Sequence, residues 1–208
     1  MSMTNKIVAI DGVGGAGKTT IAFLLAKLLG FRFLPSGFLY RFVALQDLNS
    51  KPYHESMELI HHIEFPSTGD LRVVLNNKDI TKELQDEKVG MHASKKIAVD
   101  AKIREDLTLF QRTYGQSGNL VCEGRDIASV VFPECDLAIY LTATLKEREA
   151  RRQLQTQGII NESLEQRDSQ DMNRQIAPLS IHPRSHIIDT SGANIPQVLD
   201  YIQSLLDN

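Results

Sequence analysis

The residues with the clearest chemical potential form one continuous run, Gly12-Val13-Gly14-Gly15-Ala16-Gly17-Lys18-Thr19. This run matches the pattern G-x-x-x-x-G-K-[ST], in which glycines let the backbone curl so that several N–H groups point at phosphate oxygens. Lys18 would bridge the β- and γ-phosphates, and the Thr19 hydroxyl, next to Thr20, would be a ligand of Mg²⁺. The alternative is a glycine-rich turn that merely joins two elements of secondary structure.

The flanking residues favour the phosphate loop over a plain turn. Residues 7–10 form a short apolar run typical of a buried parallel strand, and residues 20–29 carry apolar side chains at helical spacing. The helix would also direct its positive N-terminal end toward the phosphates. Strand, glycine loop and helix together predict a site for a nucleoside triphosphate.

A second group of polar residues follows the apolar segment 120–122. Glu123 ends this predicted strand and is followed by Gly124, Arg125 and Asp126. Because ligands collect at the carboxyl ends of parallel strands, we expect this group beside the phosphate loop, with Glu123 holding Mg²⁺ through water. Arg125 is suited to contact an anion or to pair with Asp126, and Asp126 is suited to accept from an exocyclic amine of a base.

A third group is rich in arginine and spans residues 148–174. Its charged members recur at helical spacing, so that each set projects from one face; they are Arg148, Arg151, Arg152, Arg167, Asp171 and Arg174. Arginine forks suit phosphate oxygens, whereas a solvated helix surface laced with ion pairs is the alternative, and spacing does not separate the two. Residues 155–163 include Gly158 and are predicted to form the flexible tip of a lid that excludes water.

The remaining pattern predicts one α/β domain with an insertion. Period-two alternation at 62–82, interrupted by two turn sequences, predicts a small antiparallel sheet outside the parallel one. Helices are predicted over 37–48, 82–114 with a break near 99–100, 144–157, 162–176 and 195–206, and strands over 7–10, 120–122, 137–141 and 186–189. This alternation is typical of a parallel sheet flanked by helices.

Composition adds mainly exclusions. The chain has 208 residues, 42% of them hydrophobic, and a formal net charge of −3, which gives no general attraction to nucleic acid or membrane. No apolar run approaches the roughly 20 residues of a membrane span, and the N-terminus has no signal-peptide pattern. Cys122 and Cys135 are expected to be buried thiols in a cytoplasmic protein.

These residues together resemble the bacterial cytidylate kinases, members of the nucleoside monophosphate kinase family of P-loop proteins. The resemblance extends from residue 7 to residue 206. It rests on the phosphate loop together with Ser36-Gly37, Tyr40-Arg41, Ser94, Ile103-Arg104, Gln111-Arg112, Gly124-Arg125-Asp126-Ile127, Val130-Val131-Phe132-Pro133, Glu147-Arg148, Arg151-Arg152, Arg167-Asp168, Asp171, Arg174, Ala177-Pro178-Leu179 and Asp189-Thr190. It implies a single kinase domain with a core (1–34, 115–147 and 178–208), a monophosphate-binding lobe (35–114) and a lid (148–177).

The resemblance also implies a reaction, the Mg²⁺-dependent transfer of a phosphoryl group from ATP to CMP or dCMP. Lys18, Glu123, Arg125, Arg152, Arg167 and Arg174 would be catalytic, while residues 12 and 14–20 and Arg148, stacked on adenine, would bind ATP. Ser36, Arg41, Ser94, Arg104, Arg125, Asp126 and Asp171 would bind the acceptor. Within this set Arg41 and Arg125 would hold its phosphate, Ser94, Arg104 and Asp126 would read cytosine, and Asp171 would bind the sugar.

The chain departs from the family pattern at Pro35, Phe38-Leu39, Glu123 and Ala128-Ser129, and two of these positions keep other functions open. The family usually has aspartate where this chain has Pro35 and Glu123. A kinase for another small acceptor is one alternative, and a non-catalytic or regulatory nucleotide-binding protein is the other. No long amphipathic surface is left unexplained, so a monomer is expected.

Overall fold

The computed structural model describes residues 5–155 and 163–206. Its centre is a five-stranded parallel sheet with the order β2-β6-β1-β7-β8. The strands are β1 (Ile7–Gly12), β2 (Arg32–Pro35), β6 (Leu120–Glu123), β7 (Leu137–Thr142) and β8 (His186–Asp189). The four predicted strands are confirmed. Strand β2 was not predicted, because it places only two apolar residues, Phe33 and Leu34, between an arginine and a proline.

Helices flank the sheet. They are α1 (Lys18–Leu29), α2 (Ser36–Leu48), α3 (Tyr53–Leu59), α4 (Thr81–Gln85), α5 (Glu87–His92), α6 (Ala101–Gly115), α7 (Leu145–Gln155), α8 (Leu164–Met172) and α9 (Ile195–Leu206). Val8, Ala9 and Ile10 of β1 are completely buried, as expected for a central parallel strand covered on both faces. Within the described residues, no helix combines the length and apolarity that crossing a bilayer requires.

The predicted antiparallel insert is confirmed. Strands β3 (Ile63–Glu64), β4 (Val74–Leu75) and β5 (Lys78–Asp79) form a separate three-stranded sheet. Asn76 and Asn77 both adopt positive φ in the turn between β4 and β5, a conformation that asparagine tolerates better than most residues. Phe65, directly after β3, packs edge-on against Tyr114 of α6, the helix that carries Arg104.

The helical region after the insert differs in detail from the prediction. The break near residues 99–100 is confirmed, and the Asp100 side chain caps α6 by accepting from Ile103 N. A second break occurs at Asp86, whose carboxylate accepts from Lys88 N and caps α5. Short polar side chains at such positions satisfy N–H groups that a continuous helix would bond internally.

The arginine-rich region forms two helices, and the second is shorter than predicted. Helix α8 ends at Met172 with Asn173 as its C-cap, so Arg174 lies beyond the helix. Arg174 still lies near Asp171, with an Nη1–Oδ1 distance of 3.8 Å. The predicted lid tip at 155–163 falls largely on residues 156–162, which lie outside the described residues.

Candidate active site

The predicted phosphate loop lies between β1 and α1 at the carboxyl end of the sheet. Gly12 has a φ of 144°, and the backbone of Leu141 leaves no room for a Cβ at this position. Lys18 is 5% exposed and its Nζ donates to Val13 O over 2.8 Å. Burial lowers the pKa of Lys18 to about 7, and the charge of Arg125 is the second cause of this shift. Glu123, Asp171 and Asp11 oppose this shift without cancelling it. A buried ammonium whose charged form is disfavoured in this way is stabilised by an anionic ligand.

Thr19 and Glu123 meet at the end of β6. The Thr19 hydroxyl donates to Glu123 Oε1 over 2.8 Å, and Glu123 is buried. A hydroxyl and a carboxylate are the oxygen donors that suit Mg²⁺, which usually keeps several waters and takes further oxygens from substrate phosphates. The two side chains therefore fit the predicted magnesium site.

Arg125 pairs with Asp171 of α8 and not with Asp126. Its Nε donates to Asp171 Oδ2 over 2.8 Å, and both side chains are largely buried. Burial acts to lower the pKa of Arg125, but the neighbouring Asp171 carboxylate raises it above the ordinary value. Arg125 thus stays protonated beside the phosphate loop, with its charge balanced by Asp171.

Asp126 is paired with Arg104 from α6. Arg104 Nη2 donates to Asp126 Oδ2 and Nη1 donates to Ala98 O over 3.1 Å, while the guanidinium lies 5.4 Å from the centre of the Tyr40 ring. Burial raises the pKa of Asp126, although Arg104 opposes this shift. Ser94, the third predicted base-reading residue, lies just after α5, and its hydroxyl donates to Met91 O three residues earlier.

Further arginines lie around Arg125. Arg41 donates to Leu84 O over 2.7 Å, and burial, together with Arg167, lowers its pKa to about 10. Among the described residues, Arg167 Nε and Arg174 Nε and Nη2 are buried without a hydrogen-bond partner. Buried donors of this kind are costly unless a ligand completes them. The arrangement is suited to the phosphate and polar groups of a bound anion.

Ser36 and Arg148, the remaining predicted nucleotide-binding residues, are both buried. Ser36 is the first residue of α2, is buried, and its Oγ lies directly against Gly124, where no side chain fits. Arg148 is buried, with Nε donating to Ala143 O and Nη1 donating to Gly14 O, each over 3.0 Å. These bonds lie in the guanidinium plane, so stacking with a base would use its flat face.

Three polar residues of the site had no role in the sequence analysis. Asp11 accepts from the backbone N–H groups of Ile127 and Ala128, each over 2.8 Å. Glu87 accepts from Arg152 Nη2 through both carboxylate oxygens, at 2.8 and 2.9 Å. Asp168 accepts from Gly14 N. Only Asp11 had a local signal, a carboxylate in an apolar strand immediately before the glycine loop.

Comparisons with known proteins agree with this geometry. The family model described as cytidylate kinase matches residues 8–208. Cytidylate kinase from Vibrio vulnificus strain YJ016 is 38% identical, covering 99% of both chains, and that from Magnetococcus marinus is 35% identical, covering 96% of this chain and 94% of the relative.

A solved structure supports the fold. Shikimate kinase from Bacteroides thetaiotaomicron superposes with a TM-score of 0.53 over 98% of this chain and 99% of that chain, at 14% identity. This likeness concerns the P-loop kinase fold alone. Fold, phosphate loop and family match agree: the chain belongs to the cytidylate kinase family.

Proposed function

We propose that the chain transfers a phosphoryl group from ATP to CMP or dCMP, giving ADP and CDP or dCDP, with Mg²⁺ as cofactor. The observation that carries this proposal is the buried Arg104–Asp126 pair beside the phosphate loop. A phosphate loop alone serves many reactions, whereas a paired guanidinium and carboxylate select an acceptor with complementary donors and acceptors. The family membership supports the same acceptor.

The donor half of the reaction uses the loop between β1 and α1. Residues 15–20 would hold the ATP phosphates through backbone N–H groups, with Gly14 shaping the loop before them, and Lys18 would become fully charged against the phosphates. Thr19 and Glu123 would hold Mg²⁺, Glu123 through water, and the ion would neutralise charge on the transferring group. The 2.8 Å bond between these two side chains supports that assignment.

The acceptor half uses the residues around Asp126. A carboxylate accepts from the 4-amino group of cytosine, and Arg104 donates to ring acceptors that uracil presents differently. Arg41 and Arg125 would hold the acceptor phosphate, and Asp171 the sugar hydroxyls. Because Arg104 and Asp126 are already ordered by each other and by Ala98 O, little rearrangement is needed on binding.

Transfer itself requires positioning and charge compensation more than proton abstraction. Arg152, Arg167 and Arg174 would surround the oxygens that carry the developing charge, in a site from which water is excluded. The unpartnered nitrogens of Arg167 and Arg174 are the donors best placed to gain bonds when phosphates bind. No general base is invoked in this scheme.

The direct test measures ADP formation with CMP, dCMP, UMP and AMP as separate acceptors in the presence of Mg²⁺. We expect turnover with CMP and dCMP that exceeds turnover with UMP and AMP, and loss of turnover in Lys18→Ala with the fold retained. A matched control is Lys27→Ala, since Lys27 is exposed near the end of α1.

The outcomes separate the alternatives. Turnover with a different acceptor would identify another small-molecule kinase. Binding of ATP without turnover on any acceptor would favour the regulatory protein and reject the kinase. Retention of Lys18, Thr19 and all the phosphate-facing arginines argues against that second reading, because loss of catalysis removes the constraint on each of them.

A further inference from the structure

The lid helix α8 contacts the phosphate loop through Asp168. Its Oδ1 accepts from Gly14 N over 2.8 Å, and the residue is 5% exposed. The bond joins residues that are 154 positions apart in the chain. It connects the helix that bears Arg167 and Asp171 directly to the loop proposed to hold ATP.

Arg148 of α7 completes this contact. Its Nη1 donates both to Asp168 Oδ2 and to Gly14 O, so the Asp168–Arg148 pair bonds the N–H and the C=O of one glycine. Arg148 Nε also donates to Ala143 O, just beyond the end of β7. The carboxylate is therefore neutralised by a guanidinium that is itself anchored to the core.

The packing explains why the loop has glycine where its motif allows any residue. A Cβ on Gly14 would lie 3.2 Å from both Asp168 Oδ1 and Leu164 Cδ2, and a Cβ on Gly15 would lie 3.0 Å from Arg148 Cβ. The motif itself does not require glycine at these two positions. Close approach of α8 disfavours a side chain at Gly14, and at Gly15 the approach of α7 adds to a φ of 75° that already favours glycine.

We infer that Asp168 is a positioning residue, which docks the lid helix on the phosphate loop and so places Arg167 and Asp171 for transfer. This inference rests on the proposed function. Asp168 bonds the N–H of Gly14, which precedes the N–H groups that open α1. The charge of Asp168 is balanced by Arg148. A bound donor phosphate therefore has no need to displace it, and docking and donor binding reinforce each other.

The test compares Asp168→Asn with Glu165→Gln, a control on the exposed side of α8. The asparagine keeps an oxygen for Gly14 N–H but leaves the buried Arg148 without its counter-ion. For Asp168→Asn we expect affinity for a fluorescent ATP analogue to fall about tenfold or more. Hydrogen exchange of α8 should rise in the nucleotide-free protein, while β1 and α1 keep their protection.

Kinetics distinguish positioning from a general loss of structure. In Asp168→Asn, kcat should fall and the KM for ATP should rise, and the KM for CMP should rise as well because Asp171 lies on the same helix. Unchanged ATP affinity and unchanged exchange in α8 would overturn the inference. An increase in ATP affinity would also overturn it, because it would mean that the carboxylate competes with the donor phosphates.

A second variant protects the test against misfolding. Gly14→Ala retains every charge and adds only a methyl group, whose carbon would lie 3.2 Å from two atoms of α8. This variant should likewise weaken ATP binding and raise hydrogen exchange in α8. Gly37→Ala, at a helical glycine with open space around it, is its control. ATP binding and exchange need no acceptor, so both readouts remain decisive even if the wild-type chain does not phosphorylate CMP.

Discussion

Pro35 and Glu123 are register partners at the ends of β2 and β6, so these two departures from the family pattern meet in space. Strand β2 is an edge strand, where a residue without a backbone N–H is tolerated. Glu123 reaches from this position to the Thr19 hydroxyl at 2.8 Å. The longer acidic side chain is thus fitted to its surroundings in this chain.

The fit of Glu123 predicts that the residue usual in the family is inferior here. Glu123→Asp shortens the side chain by one methylene and draws the carboxylate away from Thr19. We expect kcat to fall about tenfold and the Mg²⁺ concentration for half-maximal rate to rise several-fold. Glu123→Gln, which keeps the length without the charge, should lose more. Magnesium titrations at saturating nucleotides measure both effects, and an aspartate variant that matches the wild type would contradict the prediction.

Asp126 offers a test of acceptor recognition. Asp126→Asn replaces one acceptor oxygen by an amide donor and leaves Arg104 buried without its carboxylate. We expect the ratio of kcat/KM for CMP over UMP to fall at least about tenfold, since a site built for hydrogen bonds discriminates through them. Kinetics with both acceptors measure the ratio. A loss of rate with unchanged preference would assign Asp126 a structural role only.

The local parts of this site could be predicted because they are contiguous in sequence. Strand β1, the glycine loop and α1 form one segment, and residues 123–126 directly follow a buried strand. The spacing of apolar residues and the sequence motif were therefore enough to predict them. The end of α8 at Met172 could not be predicted, because a charged, weakly amphipathic segment gives no clear stop signal before Arg174.

The contacts between segments far apart in the sequence had no such signal. Glu87 and Arg152 bond to each other although they are 65 residues apart, and both lie among other charged residues in the sequence. Which carboxylate meets which guanidinium depends on how α5 and α7 pack, not on spacing within either helix. The same holds for Arg125, which pairs with Asp171 and not with its neighbour Asp126.

Glu87 is expected to hold α7 against α5 before nucleotides bind. Glu87→Gln removes the charge that faces Arg152 and weakens two bonds of 2.8 and 2.9 Å. We expect the free energy of unfolding to fall by about 1–3 kcal/mol and hydrogen exchange in α7 to increase in the free protein. Glu83→Gln, on the exposed surface of α4, is the control. Equal exchange in the two variants would contradict this role.

Asp11 anchors the turn after Asp126 to the phosphate-loop strand, and its ionisation opposes folding. Burial raises the pKa of Asp11 from 3.8 to about 6, with two backbone N–H bonds and Lys18 acting against the shift and Asp126 adding to it. The folded chain therefore binds this proton more tightly than the unfolded chain, and the stability contributed by Asp11 is full below about pH 4 and lost as pH rises through about 6.

The predicted measurement is the difference in unfolding free energy between the wild type and Asp11→Asn, obtained from urea titrations across this range. From about pH 5 to about pH 7.5 the wild type should lose about 1–2 kcal/mol relative to the variant, because only the wild type ionises at this position. Asp200→Asn, on the exposed face of α9, controls for changes in surface charge. A difference that stays constant, or that changes in the opposite direction, would show that Asp11 is ionised in the folded chain throughout this range.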